Sequence, residues 1–443
     1  MQSRGRRRTG AVLLAFLVGL PGVAGCASAG SSAADPAASV SASASDPLPA
    51  GLTDALARRG QAVLRREPAA WLAGIDPTLP AFVTTQRQLF ANLSRLPLQS
   101  WTYRPGRLIE SGADRVRLHV DLIYRLQGDT RDITRDQLVT LTRSTGRWLV
   151  CDQQPGLPQP PELWDLGPIA VSRGARSVVV GAVERRGELA EFAADLDAAA
   201  TRVDAVWGSD WSRSVVALVP ADPAAMARLL GPDRSGGLDR LAAVAIGEVD
   251  VSTGVGSTLT GRSRPTADRV VLNADAISRF GQVGRMVVLT HEVAHLATRA
   301  SHRVAPPLWL QEGFADYLAY RDTGLPATAV AADLIAQVEA GQAPSALPGP
   351  EQFDATRPSI SAAYAAGWLA VDLIARQYGP AAVIRFDRTA AGIESAGAGS
   401  AGVGSAGTVG SEQALDAAFR GVLGTDQQAF VVRWRAAVAD LAG

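Results

Sequence analysis

Two of the four histidines in this chain of 443 residues stand four apart, in His291-Glu292-Val293-Ala294-His295. That spacing admits few local structures. An α-helix brings residues i and i+4 onto one face a turn apart, so both imidazoles reach a single ion only if the stretch is helical. The flanks agree: Val287, Val288 and Leu289 lead in, Leu296 and Ala297 follow, and no Gly or Pro interrupts residues 285–300. The alternative is a surface helix with two solvated histidines. Chance explains the motif poorly when the whole chain has four histidines.

A catalytic zinc needs three protein ligands and an open position for water. The third must come from elsewhere. His302 lies seven residues past His295; on a continued helix that is roughly 10 Å along the axis, beyond one coordination sphere. It reads as a surface residue. The metzincin arrangement needs Gly three residues after the second histidine and His three further on. Thr298 and Ser301 stand there instead, which excludes it.

The better source is Pro307-Leu308-Trp309-Leu310-Gln311-Glu312-Gly313-Phe314-Ala315-Asp316-Tyr317. Glu312 and Asp316 are i and i+4 on what reads as a second helix, so they share a face. Here the chain resembles the gluzincin metallopeptidases, the thermolysin- and aminopeptidase-like group. Their W-L-x-E-G-x-A pattern is matched by Trp309, Leu310, Glu312, Gly313 and Ala315. The resemblance implies that His291, His295 and Glu312 bind Zn2+ and that Glu292 is the general base acting on zinc-activated water. Asp316 would then orient a ligand histidine through its other ring nitrogen.

The same resemblance implies an edge strand ahead of the zinc helix that pairs with extended substrate, and residues 269–273 stand in that place. It also implies an oxyanion-stabilising Tyr or His on a later helix. Tyr364, in Ala362-Ala363-Tyr364-Ala365-Ala366-Gly367, is the candidate, with a core tyrosine at helical spacing as the alternative. The Gly-rich exopeptidase motif expected upstream of H-E-x-x-H is missing, so amine-end specificity is not implied. The sequence looks more like the smaller peptidase-MA-like bacterial proteins.

The N-terminus bears on where that chemistry takes place. Arg4, Arg6, Arg7 and Arg8 precede a short apolar run at residues 11–20, too short to span a bilayer. It ends in Val23-Ala24-Gly25-Cys26, which resembles a lipobox, so residues 1–26 read as a lipoprotein signal peptide with Cys26 as the acylated residue. Residues 27–50 are rich in Ser, Ala and Pro and read as a flexible tether. The expected location is the extracytoplasmic face of the cell membrane, held by the lipid anchor. Cys151 is the only other cysteine. It follows Trp148-Leu149-Val150 and reads as a buried structural thiol with no disulfide partner. Net charge is zero, so nothing favours nucleic acid as a partner.

The expected fold class is α+β. Residues 52–72 have helical spacing, broken at Asp76-Pro77, and residues 82–96 form a second helix. Residues 115–126 alternate as a strand, and residues 137–150 read as two more around Ser144-Thr145-Gly146. Helices followed by an antiparallel meander resemble the NTF2-like fold, expected over residues 51–155 as an interaction or spacer domain. His119, inside the alternating strand with no clear partner, reads as structural. Beyond a Pro-rich seam at residues 155–161, a gluzincin-type peptidase domain is expected over residues 165–443, with a small sheet, the H-E-x-x-H helix and a mostly helical C-terminal part. Its strands are at 177–183, 214–219 and 269–273, and a helix spans 189–206. Later helices are at 309–320, 327–340, 360–378, 381–389 and 412–441, with a mobile Gly-rich loop at 391–411. Gly254-Val255-Gly256 is too weak a signal for a phosphate loop. The expected function is a membrane-anchored zinc metallopeptidase acting on a peptide or protein. A non-catalytic zinc-binding envelope lipoprotein in binding or assembly is the alternative.

Overall fold

In the computed structural model, residues 48–231, 241–248, 267–354, 356–394 and 410–443 are described. The signal segment with Cys26, nearly all of the tether, Gly254-Val255-Gly256 and most of the Gly-rich loop lie outside them. The chain is mixed α+β and divides into two compact units, one ending at Pro168 and the other built from Ile169–Ile246 and Asp268–Gly443.

The first unit opens with a helical run that Pro68 divides. α1 (Leu52–Leu64) ends where Arg66 turns to φ 57°, and α2 (Pro68–Leu72) starts on the proline itself. Pro lacks the N–H that a continuing helix needs and suits a first helical position, so the break falls earlier than Asp76-Pro77. After α3 (Pro80–Leu93) come β1 (Leu98–Ser111), β2 (Arg115–Leu126), β3 (Ile133–Ser144) and β4 (Arg147–Pro155), an antiparallel meander in sequential order. On β2, Val116, Leu118, Val120, Leu122 and Tyr124 face one side and are all buried. Thr145 and Gly146 take φ of 48° and 79°, the left-handed pair that closes a tight hairpin between β3 and β4.

This unit runs past the Pro-rich seam. α4 (Leu163–Leu166) is fastened to it by Asn92, whose Nδ2 donates to Trp164 O and Gly167 O at 2.8 Å each. Glu162 Oε1 accepts from Tyr124 O–H at 2.6 Å and from Arg135 Nε at 2.8 Å. His119 has a partner after all: its Nδ1 lies 2.8 Å from Asp136 Oδ2, both buried. Cys151 is half-buried, with its thiol 3.5 Å from Thr140 O.

The second unit holds a five-stranded sheet. Its strands are β5 (Ile169–Arg173), β6 (Ser177–Ala182), β7 (Val215–Val219), β8 (Ala243–Glu248) and β9 (Ala267–Leu272), in the order β5-β6-β7-β9-β8. β6, β7 and β9 run parallel, and α5 (Leu189–Trp207) crosses between the first two. α6 (Pro223–Leu230) follows β7. β7 is buried along its whole length, as a parallel strand covered on both faces must be. The segment expected at the edge, residues 269–273, is interior, because β8 lies outside it. The Asn273 N–H donates to Ala242 O at 2.9 Å, so the end of β9 meets the start of β8 and the two run antiparallel.

Helices complete the unit: α7 (Ala274–Ile277), α8 (Gln282–Ser301), α9 (Leu308–Tyr320), α10 (Ala327–Val330), α11 (Ala332–Glu339), α12 (Ile360–Tyr378), α13 (Pro380–Ala390), α14 (Ser411–Leu423) and α15 (Gln427–Ala442). The run expected over residues 412–441 is two helices. Gly424 stops α14 in the left-handed region at φ 62°, and Asp426 Oδ1 caps α15 by accepting from Ala429 N–H at 2.7 Å. Leu196, Val288, Phe314, Leu369, Phe386 and Trp434 belong to one core cluster.

α9 and α12 meet at a pair of glycines. A Cβ on Gly313 would stand 2.3 Å from Gly367 O, and one on Gly367 would stand 2.8 Å from Trp309 O. The obstruction is backbone, which cannot rotate aside. Gly313→Ala is therefore expected to destabilise the protein by about 1–3 kcal/mol, measured as a lower denaturant midpoint at unchanged slope.

Candidate metal centre

α8 is buried along most of its length. Met286 to Thr298 are all buried, because the helix packs against α5 on one side and α9 on another. Its polar residues are therefore held in place by the surrounding core rather than by solvent. Pro307 starts α9 at its N-cap, and Gln311 Nε2 donates to Pro306 O at 2.6 Å, fixing the turn that returns the chain.

The return brings three ligand atoms together. His291 Nε2 and His295 Nε2 are 3.0 Å apart, and Glu312 Oε2 is 3.2 Å from the first and 3.4 Å from the second. All three residues are at most 1% exposed. Glu312 Oε2 is buried and forms no hydrogen bond of good geometry to either ring. Convergence of three ligand atoms on one point is what a metal ion requires, and these residues could hold one. On the far side of the ring, His291 Nδ1 donates to Asp316 Oδ1 at 2.8 Å. A carboxylate only accepts, so Nδ1 carries a proton, and Nε2, which faces the triad, is the nitrogen that a metal would take once its own proton is displaced.

Glu292 lies on the same helix, wholly buried. Its Oε2 accepts from Ala245 N–H of β8 at 2.6 Å, while its Oε1 has no hydrogen-bond partner. Burial pushes its pKa up to about 7, reinforced by Glu312 and opposed by His291. At His291 burial disfavours the cation, but Asp316, Glu312 and Glu292 together outweigh it and raise the pKa to about 10. Burial lowers His295 to about 4. For Glu312 burial is the largest influence and acts upward, yet the two histidines overcome it and hold the carboxyl at about 2.

Tyr364 is brought to the same place. Its ring is buried between Phe353, with centroids 5.3 Å apart, and His291, with centroids 6.1 Å apart. Burial, then the carboxylates of Glu312, Asp316 and Glu292, raise its pKa well above 10, so the phenol stays a donor. His302 is not brought in. Its Nε2 lies 3.0 Å from buried Asp387, which ties the end of α8 to α13, so it is a packed residue rather than a surface one.

Two participants are not legible as functional in the sequence. Ala245 acts through its backbone, and nothing in an alanine announces that. Arg299 stands four residues after His295 and seven after Glu292, the spacing of one helix face, which is the signal that could have found it. Its Nη1 donates to Ala245 O at 3.1 Å, so α8 grips both backbone groups of that strand residue. No protein-family model matches the chain, and no curated protein is significantly similar to it.

Proposed function

We propose that the second unit is a gluzincin-type zinc metallopeptidase, with His291, His295 and Glu312 as the zinc ligands and Glu292 as the general base. What carries the reading is the triangle of ligand atoms with edges of 3.0, 3.2 and 3.4 Å. Ligands about 2.0–2.1 Å from a tetrahedral zinc stand roughly 3.3 Å from one another, so the triangle fits one face of that polyhedron. When bound, zinc supplies Lewis acidity, acidifying water and polarising a carbonyl.

The chain's own residues supply the rest. Glu292 offers Oε1 as the proton acceptor for attacking water, with Oε2 pinned to β8, and then returns the proton to the leaving amine. Asp316 fixes the tautomer and ring orientation of His291. Tyr364 O–H is the donor proposed for the developing oxyanion. β8, at the sheet edge beside Glu292, takes the place of the substrate-pairing strand. We further propose that residues 1–26 direct export and lipid anchoring through Cys26, and that the first unit is NTF2-like.

The test is metal content together with cleavage of a peptide library by the purified protein. One zinc per chain, with hydrolysis abolished by chelation and restored by zinc, supports the proposal. Protein without stoichiometric zinc, or cleavage indifferent to chelator, contradicts it. The complete burial of the triad favours a second reading, a closed structural metal site. Chelation would then lower the unfolding temperature with no turnover to lose.

Asp316→Asn is expected to weaken zinc binding by about 10–100-fold, read by competition with a chelating dye. His291 of the metal-free site keeps its proton up to about pH 10, with Asp316 the foremost of the groups that hold it there against burial. Zinc must displace that proton, so affinity should climb by up to about tenfold per unit as pH rises through neutrality. Calorimetry in buffers of different ionisation enthalpy should report proton release, diminished in Asp316→Asn.

A further inference from the structure

The first unit contains a cavity of about 550 Å³ lined by α3, the meander and the segment 159–167, in the size range of small-molecule sites. Trp101, Tyr103 and Trp164 supply aromatic walls, and Gln86, Gln137 and Gln153 supply amides. Directly behind Gln86 and Gln153 lies Arg59, only 4% exposed. Its Nη2 donates to Gln86 Oε1 at 2.6 Å and to Gln153 Oε1 at 2.7 Å, and its guanidinium stacks 3.6 Å from the Trp71 ring centroid. Nη1 is buried without a hydrogen bond of good geometry, the neutral Tyr103 hydroxyl is the polar group that supports the cation against its burial, and among the described residues no carboxylate pairs with this arginine.

A buried cation without an anion is costly, and neutral amide oxygens compensate it poorly. The charges around the cavity do not solve this. Arg135 and Glu162 neutralise each other at 2.8 Å. Asp165 lines the cavity too, with its Oδ2 accepting from Glu162 N–H at 3.2 Å, and it is not paired to Arg59. The missing partner is an anion small enough to enter.

We propose that this cavity binds a small organic carboxylate with an apolar or aromatic body. The carboxylate sits at the Gln86–Gln153 end, facing the amides that Arg59 holds from behind, and the body lies among Trp101, Tyr103 and Trp164. Nothing in this depends on the metal centre of the second unit.

The test uses the full chain and three probes, N-acetylphenylalanine, N-acetylleucine and benzoate, each beside its neutral methylamide. Binding is followed by saturation-transfer NMR and by thermal shift. The carboxylates should bind saturably and the methylamides at least about tenfold more weakly. Arg59→Met should weaken carboxylate binding by about 30-fold or more. Asp165→Asn, which removes the opposing charge, should tighten it by about threefold. Thr85→Trp, at an exposed position on the α3 wall, should block it without touching Arg59. If Arg59→Met fails to fold, the methylamide comparison and the other two variants decide. Equal binding of acids and methylamides, no saturable binding of any acid, or binding unaffected by Thr85→Trp would overturn the proposal.

Discussion

Glu292→Gln is expected to leave zinc content unchanged and to lower peptide hydrolysis by about 10²–10⁴-fold, the range for a lost general base. The substitution keeps shape and one hydrogen bond. A glutamine oxygen can accept from Ala245 N–H as Glu292 Oε2 does at 2.6 Å. What changes is the other terminal atom: Oε1, buried and without a partner, becomes an amide nitrogen that cannot take a proton. Because the carboxyl is buried and its pKa is raised to about 7, replacing it by a neutral amide should not lower the unfolding temperature. Turnover and stability therefore separate. A variant that hydrolyses every cleaved peptide at the wild-type rate removes Glu292 from the chemistry.

Glu312→Gln should do the opposite, losing the metal and the activity together. The Glu312 carboxylate is held ionised at about 2, against its burial, by His295 and His291. An amide oxygen offers zinc no charge and leaves two ring nitrogens 3.0 Å apart with nothing between them. Zinc affinity should fall by about 10³-fold or more, beyond the 10–100-fold expected for Asp316, which acts only through His291. Equilibrium dialysis against buffered zinc measures it. Retained affinity would mean that the ion, if bound, has another third ligand.

Spacing showed which residues of this centre share a helix face, and the resemblance to the gluzincins is what joined Glu312 and Asp316 to the two histidines. His291, Glu292 and His295 on one helix, and Glu312 and Asp316 on the next, are local i and i+4 relations that a helix enforces wherever it lies. The turn between α8 and α9 is short, so bringing the two faces together needed little long-range information. Elements held by non-local pairing were harder to read. β1 does not alternate in sequence, because Pro105 and three register shifts spoil the pattern. β8 is an alanine-rich run with a weak strand signal, so the sequence shows no strand outside β9. The partner of His302, Asp387, is 85 residues away, so nothing local in the sequence marks His302 as packed. Arg59 gave no sign at all: only the folded unit reveals a buried cation without a carboxylate.

The most direct measurement is anomalous diffraction at the zinc edge from crystals of the zinc-loaded protein. One peak should lie about 2.0–2.2 Å from His291 Nε2, His295 Nε2 and a Glu312 carboxylate oxygen, with Glu292 beside it and not bound to it. No peak between α8 and α9 at saturating zinc, or a peak coordinated by other residues, would contradict the account.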